Sequence, residues 1–189
     1  MTWQLIRLPD AVASPWRNGG GVTRELVAWP IGGADWTWRI SVAEVATSGP
    51  FSRFEGVQRW FAVLSGNGVS LQLAGTEHRL TAASAPLQFD GGVAVDCRLL
   101  DGPTQDLNLM VRQDRASARM QRIAGTQQFV ARTAKVLAVY AEAGGAQLRD
   151  EQGSFTVPAQ CLAWHSVPAG TQVEVTAPGA VWMEIEPWA

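Results

Sequence analysis

Lysine, histidine, cysteine and tyrosine are scarce in these 189 residues: Lys135 is the only lysine, His78 and His165 the only histidines, Cys97 and Cys161 the only cysteines. Two cysteines do not make a disulfide framework, and each lies in an apolar context that suits a buried free thiol. Charge is low as well, 17% against 47% hydrophobic, with 15 basic and 17 acidic residues giving a net charge of −2. High hydrophobicity with little charge excludes a disordered chain. The near-neutral balance lacks the basic footprint of a nucleic-acid binder. No apolar run approaches the ~18–20 residues of a membrane span. Residues Met1–Arg7 lack the apolar stretch and cleavage site of an export signal. The expectation is a cytoplasmic protein with no nucleic-acid and no membrane partner. The basic residues are almost all Arg, which favours planar, bidentate recognition of carboxylates, although genome base composition explains that bias equally well.

What is present reads as β throughout. Trp36–Val42, Val93–Leu100 and Thr171–Thr176 alternate apolar and polar residues at period two. Trp60–Leu64 and Val69–Leu73, joined by Ser65-Gly66-Asn67-Gly68, predict a hairpin. The best helical candidate is short, Asp114–Gln121, and serves equally as a linker. Many short strands with regular turn signals indicate a sandwich or barrel. The chain also resembles itself: Ala62-Val63-Leu64, Arg79-Leu80-Thr81 and Leu87-Gln88-Phe89 recur as Ala138-Val139-Tyr140, Ser154-Phe155-Thr156 and Leu162-Ala163-Trp164, at offsets of 76, 75 and 75 residues. A fixed offset of this kind is a fold signal. It predicts two copies of one small β-barrel, residues 1–115 and 116–189, with residues 1–30 available to complete the second.

Polar residues concentrate in four places. Trp16–Glu25 holds three consecutive glycines, flanked by Asn18, Thr23 and Glu25, where backbone can approach a ligand closely. No P-loop or dinucleotide fingerprint accompanies them, so phosphate cradling is unsupported. In Trp38–Ala43, Arg39 and Ser41 share one strand face and Trp38, Ile40 and Val42 the other; which face points inward stays open at this level. The third place is Gly49–Arg59. The fourth is Asp106–Met110, where Asp106 and Asn108 share a face against Leu107 and Leu109.

Together these runs resemble the HutD/Ves family of bicupins associated with histidine utilisation: Trp-x-Asn-Gly-Gly-Gly-x-Thr-x-Glu at Trp16–Glu25, Trp-Arg-Ile-Ser-x-Ala at Trp38–Ala43, Gly-Pro-Phe-Ser-x-Phe-x-Gly-x-x-Arg at Gly49–Arg59, and Asp-Leu-Asn-Leu-Met at Asp106–Met110. The similarity covers residues 16–110 and loosens beyond about residue 115. It implies an all-β bicupin, two small antiparallel β-barrels of the double-stranded β-helix (jelly-roll) type in one compact unit. It also implies binding of a pathway metabolite rather than a demonstrated activity. Cupins commonly hold a metal on a His-x-His, a Glu and a further His, ligands that suit Fe, Mn or Zn. Matching the turn after Leu64 to the turn that follows that motif puts Arg53 and Glu55 near the His-x-His places and Arg59 near the Glu place. A guanidinium cannot ligate a metal. His78 falls at a polar hairpin tip, where exposure is expected, and His165 lies in the other half. No metal and no cofactor are expected.

The candidate ligand-binding residues are therefore Asn18, Thr23, Glu25, Arg39, Ser41, Arg59 and Asn108, with aromatic walls drawn from Trp16, Trp38, Phe51, Phe54 and Trp60. The expected function is binding of a small carboxylate such as urocanate or formylglutamate, modulating histidine utilisation without catalysis. One alternative is a metal-free isomerase, lyase or hydrolase with Glu25 or Asp106 as general base. Another is an interaction module, a homodimer among its possible forms, using Trp3, Trp29, Trp182 and Trp188 as exposed aromatics.

Overall fold

The computed structural model describes residues 3–33 and 35–188. Its strands in chain order are β1 (Gln4–Arg7), β2 (Ala13–Pro15), β3 (Gly21–Trp29), β4 (Trp38–Val45), β5 (Gly49–Pro50), β6 (Val57–Ser65), β7 (Val69–Leu73), β8 (Thr76–Leu80), β9 (Leu87–Asp90), β10 (Val95–Leu99), β11 (Thr104–Arg112), β12 (Ala116–Val130), β13 (Lys135–Ala141), β14 (Ala146–Asp150), β15 (Gly153–Val157), β16 (Cys161–Val167) and β17 (Gln172–Pro187). The one helical element among the described residues is a 3₁₀ turn at Leu8–Asp10, so no helix is long and apolar enough to cross a membrane. The fold is all-β, as the period-two runs predict.

Residues 12–116 form one compact unit. Its six-stranded sheet runs β2-β3-β4-β11-β6-β9 and its four-stranded sheet β5-β10-β7-β8, with every pair antiparallel. Val45, Phe61 and Val63 from the first sheet meet Val69, Leu71, Leu73, Val95 and Cys97 from the second in a buried hydrocarbon layer. Burial of that apolar area is the main term holding the sheets together.

Residues 3–11 and 117–188 belong to the other unit. β1 adds to the edge of β16, pairing Gln4 with Trp164 and Arg7 with Cys161. This sheet runs β1-β16-β13-β17-β14-β15, with β12 also on β17. β17 serves two neighbours, pairing β14 through Glu174–Thr176 and β13 through Ala180–Ile185. The interior is hydrocarbon, centred on Leu137, Val139, Leu148, Ala163, Val175 and Trp182.

Three local expectations need correction. β6 and β7 are not a hairpin: β6 pairs β9 and β11, whereas β7 pairs β8 and β10. The Ser65–Gly68 turn carries the chain from one sheet to the other, with Gly66 and Gly68 both at positive φ and tight against neighbouring backbone. Asp114–Gln121 is not a helix: a turn leads into β12, whose Ala116, Ala118 and Met120 are buried at period two, and the chain passes from one unit to the next within it. Of the four tryptophans expected at the surface, Trp3 and Trp182 are buried core, while Trp29 (44%) and Trp188 (53%) are exposed. Both cysteines are buried free thiols.

The glycine run also has a different role from ligand approach. Only Gly19 has positive φ, and Gly21 opens β3 so close to β4 that a Cβ there would lie 2.2 Å from the Glu44 carbonyl oxygen. Gly20 accepts hydrogen bonds from the Ala46 and Thr47 amides. The run lets β3 start flush against its neighbour. We expect Gly21→Ala to cost about 2–4 kcal/mol, because backbone has to move, and Gly19→Ala about 1 kcal/mol, because its Cβ meets open space and only φ is strained. Denaturant unfolding of the two variants measures both.

Candidate functional site

Strand pairing in the six-stranded sheet places the motif residues in rows across one face. Thr23, Ala43 and Asp106 stand in register, as do Glu25, Ser41, Asn108 and Phe61, and then Arg39, Met110 and Arg59. Because strand side chains alternate, all of these face the same side, and Trp38, Ile40 and Val42 are buried on the other. That settles the facing of the Trp38–Ala43 strand: Arg39 and Ser41 point inward to a cavity of about 460 Å³. This volume suits a small organic ligand. The segments carrying Trp16, Asn18, Phe51 and Phe54 supply its remaining wall.

A buried polar chain sits on this wall. The Arg59 guanidinium lies between the Phe51 and Phe89 rings, 4.9 and 5.4 Å from their centroids. Its Nε and Nη2 both donate to Asn108 Oδ1, at 3.2 and 2.8 Å. Asn108 Nδ2 donates in turn to Asp106 Oδ1. Asp106 Oδ2 is buried and has no hydrogen-bond partner among the described residues. Burial pushes the Asp106 carboxyl up to about 7, against the pull of the Arg59 charge and the Asn108 hydrogen bond. Burial likewise brings Arg59 down to about 10, opposed by Asp106, so the guanidinium stays charged near neutral pH. Losing hydration is the dominant cause in both.

The rim is wetter. Arg39 Nε lies 2.8 Å from Glu25 Oε2 in an ion pair whose side chains are 20% and 51% exposed. Trp16 Nε1 donates to Thr23 Oγ1 at 2.8 Å, which fixes the indole as part of the wall. Asn18 Oδ1 accepts from the Gly20 amide at 3.0 Å and so is partly occupied in shaping its own turn.

Asn18, Thr23, Arg39, Ser41, Arg59, Asn108 and Asp106 thus all line the cavity. Glu25 does not: it shares the sheet face of Ser41, but its half-exposed carboxylate is paired with Arg39 at the rim. As a general base Glu25 is misplaced, whereas Asp106 has the burial such a group needs. Of the suggested walls, Trp38 and Trp60 are not on the cavity, since both alternate to the other sheet face. Phe89, which stacks on Arg59 from the neighbouring strand, went unrecognised because nothing in its sequence context separates it from core. Arg17, within the first motif, lines the cavity too but is solvent-exposed.

The donor set does not fit a divalent metal. Arg53 and Glu55 are exposed in the loop before β6, not near one another's cavity places, because the strand begins only at Val57. His78 is half-buried on β8, and His165 packs at a tilt against Trp3, ring centroids 5.7 Å apart, with burial lowering the proton affinity of its imidazole. Among the described residues no three His, Cys, Asp or Glu side chains gather as a metal site. The cavity's buried carboxyl, Asp106, is flanked instead by cations.

The HutD family model matches residues 8–183. The chain belongs to the HutD family. A HutD from Pseudomonas fluorescens superposes at a TM-score of 0.88 with 30% identity, covering all of both chains. An uncharacterised protein encoded near hutC in Pseudomonas putida is 38% identical over 135 residues, 71% of each chain. Protein Ves of Citrobacter koseri is 37% identical over 107 residues, and the matched stretch is 56% of each chain. A cupin barrel protein from Leptotrichia buccalis, 10% identical, superposes at a TM-score of 0.58 over 98% of this chain and 96% of its own, which shows the cupin fold alone.

The burial of Asp106 makes stability pH-dependent. Its carboxyl rises from 3.8 to about 7 on folding, so between those values the unfolded chain binds fewer protons than the folded one. Stability contributed at this residue therefore falls as pH rises through that window. Asp106→Asn should remove the fall, gaining roughly 1.4 kcal/mol over the native chain per pH unit of the window. Thermal unfolding of both proteins from pH 4 to 8 reads the difference.

Proposed function

We propose that this HutD-family chain is a non-catalytic receptor for a small carboxylate metabolite, acting in the cytoplasm without metal or cofactor. The observation that carries the reading is the Arg59 guanidinium. It is held on the cavity wall against two phenyl rings, and among the described residues its hydrogen bonds go to Asn108 Oδ1. That leaves Nη1 for a ligand oxygen. Arg39 stands two residues from Ser41 on the same wall and offers a second cation nearer the mouth. Charge-assisted hydrogen bonds from guanidinium to carboxylate are the strong class, and an aromatic wall accommodates a flat or apolar ligand body. The family's association with histidine utilisation directs attention to urocanate and formylglutamate.

A metal-free enzyme is the second reading. It is favoured by one feature, a buried carboxyl with the affinity for protons that a general acid–base near neutral pH needs. Turnover of a pathway acid by purified protein, lost in Asp106→Asn, would select it. The interaction-module reading loses two of its four aromatics to the core.

Calorimetric titration with urocanate, formylglutamate and formate should give at least one Kd below millimolar. Arg59→Ala, checked for folding by circular dichroism, should weaken it by about 10- to 100-fold, the loss of a charge-assisted hydrogen bond of roughly 1.5–3 kcal/mol. Arg59→Lys should recover little, because the ammonium lacks the planar fork. Absence of binding below millimolar, or equal binding by Arg59→Ala, defeats the assignment.

A further inference from the structure

Asp106 is a buried titratable group that a simple anion receptor does not need. In the empty cavity the Arg59 cation and an ionised Asp106, bridged by Asn108, sum to zero charge. Arg39 and Glu25 at the rim also cancel. An anion arriving at Arg59 leaves the buried set with one uncompensated negative charge, a costly state in a low-dielectric interior. The anion offsets the charge of Arg59, which with the Asn108 hydrogen bond favours ionised Asp106, and among the described residues Oδ2 has no hydrogen bond to stabilise its negative form.

We infer that Asp106 makes the site take up a monocarboxylate together with one proton, which binds the Asp106 carboxylate while the ligand stays an anion on Arg59. The buried charge is then zero before and after binding: Arg59 with Asp106 in the empty site, Arg59 with the ligand in the full one. No bond other than the O–H of Asp106 is made. This rests on the carboxylate reading above and adds the condition under which it operates.

The groups around Asp106 permit this. Cys97 approaches from β10 as a thiol that burial pushes up to about 12, so it is neutral throughout. Neighbouring Asp96 alternates to the exposed side of that strand. β3 contributes the Thr23 hydroxyl and the rim carboxylate of Glu25, β4 contributes Arg39, and β6 contributes Arg59. Arg17 at the cavity is exposed and screened by solvent. Asp106 is the member of this set whose proton affinity, about 7, lies where anion binding can change its occupancy near neutral pH. Reciprocity then requires the proton to strengthen anion binding as much as the anion strengthens proton binding.

Formate and benzoate, neither of which titrates between pH 6 and 9, are the probes. Titrating the full chain with each in buffers of different ionisation enthalpy at pH 7.5 should show uptake of up to about 0.8 proton per anion, the fraction of Asp106 ionised there. Affinity should weaken towards tenfold per pH unit above pH 7. Asp106→Asn should bind the anion with no proton uptake and an affinity flat from pH 6 to 9. The wild-type uptake tests the inference even if that variant fails to fold. Binding without uptake and without pH dependence overturns the inference and leaves the carboxylate reading standing. The same uptake in Asp106→Asn also overturns it, because another group then carries the proton. Failure of both probes and of the pathway acids to bind overturns the two together.

Discussion

A guanidinium buried in a β-sandwich has to be satisfied from within, and that requirement organises the unit formed by residues 12–116. Hydrocarbon alone cannot surround Arg59, because an unpaired buried charge costs several kcal/mol. The solution is a polar strip on β11: Asn108 accepts both guanidinium N–H groups and passes the polarity on to Asp106, while Phe51 and Phe89 cover the faces of the cation. The strip keeps one patch of the interior from closing on apolar contacts, and the cavity lies beside it.

The other unit shows what happens when the same positions are filled differently. β13 lies between β16 and β17 as β6 lies between β9 and β11. At the offset of 76 residues Lys135 stands for Arg59. Glu184, opposite Leu137, stands for Asn108, opposite Phe61, and Trp182, opposite Val139, stands for Asp106, opposite Val63. Here the cation is neutralised locally, Lys135 Nζ lying 2.8 Å from Glu184 Oε2. Trp182 fills the interior and stacks on Phe129 at 4.3 Å. Like strand pairings thus carry a polar cavity where a neutral amide bridges a guanidinium to a carboxyl, and a sealed core where an ion pair and an indole occupy the positions 76 residues on.

Much of the cavity lining is legible in the sequence. Period-two alternation put Arg39 with Ser41 and Asp106 with Asn108, because a strand has only two faces. The motif spacing brought Asn18, Thr23 and Arg59 into the same reckoning. Glu25 shares that face, yet its carboxylate pairs with Arg39 at the exposed rim, and alternation gives the face of a side chain but not its depth. The Ser65–Gly68 turn failed as a hairpin signal for a related reason. A Gly-containing loop between two strands has the same local chemistry whether the strands pair or part into different sheets.

The sequence by itself determined that the chain is β, that its polar residues cluster in four runs, and that one half echoes the other, since these depend on local alternation and spacing. Only the tertiary structure decided which strand face looks inward, that β1 joins the C-terminal sheet, and that Asp106 is the end of a buried chain rather than a solvated side group. Those outcomes depend on which strands become neighbours across long stretches of sequence. No local pattern encodes that pairing, because the hydrogen bonds of any strand edge are the same.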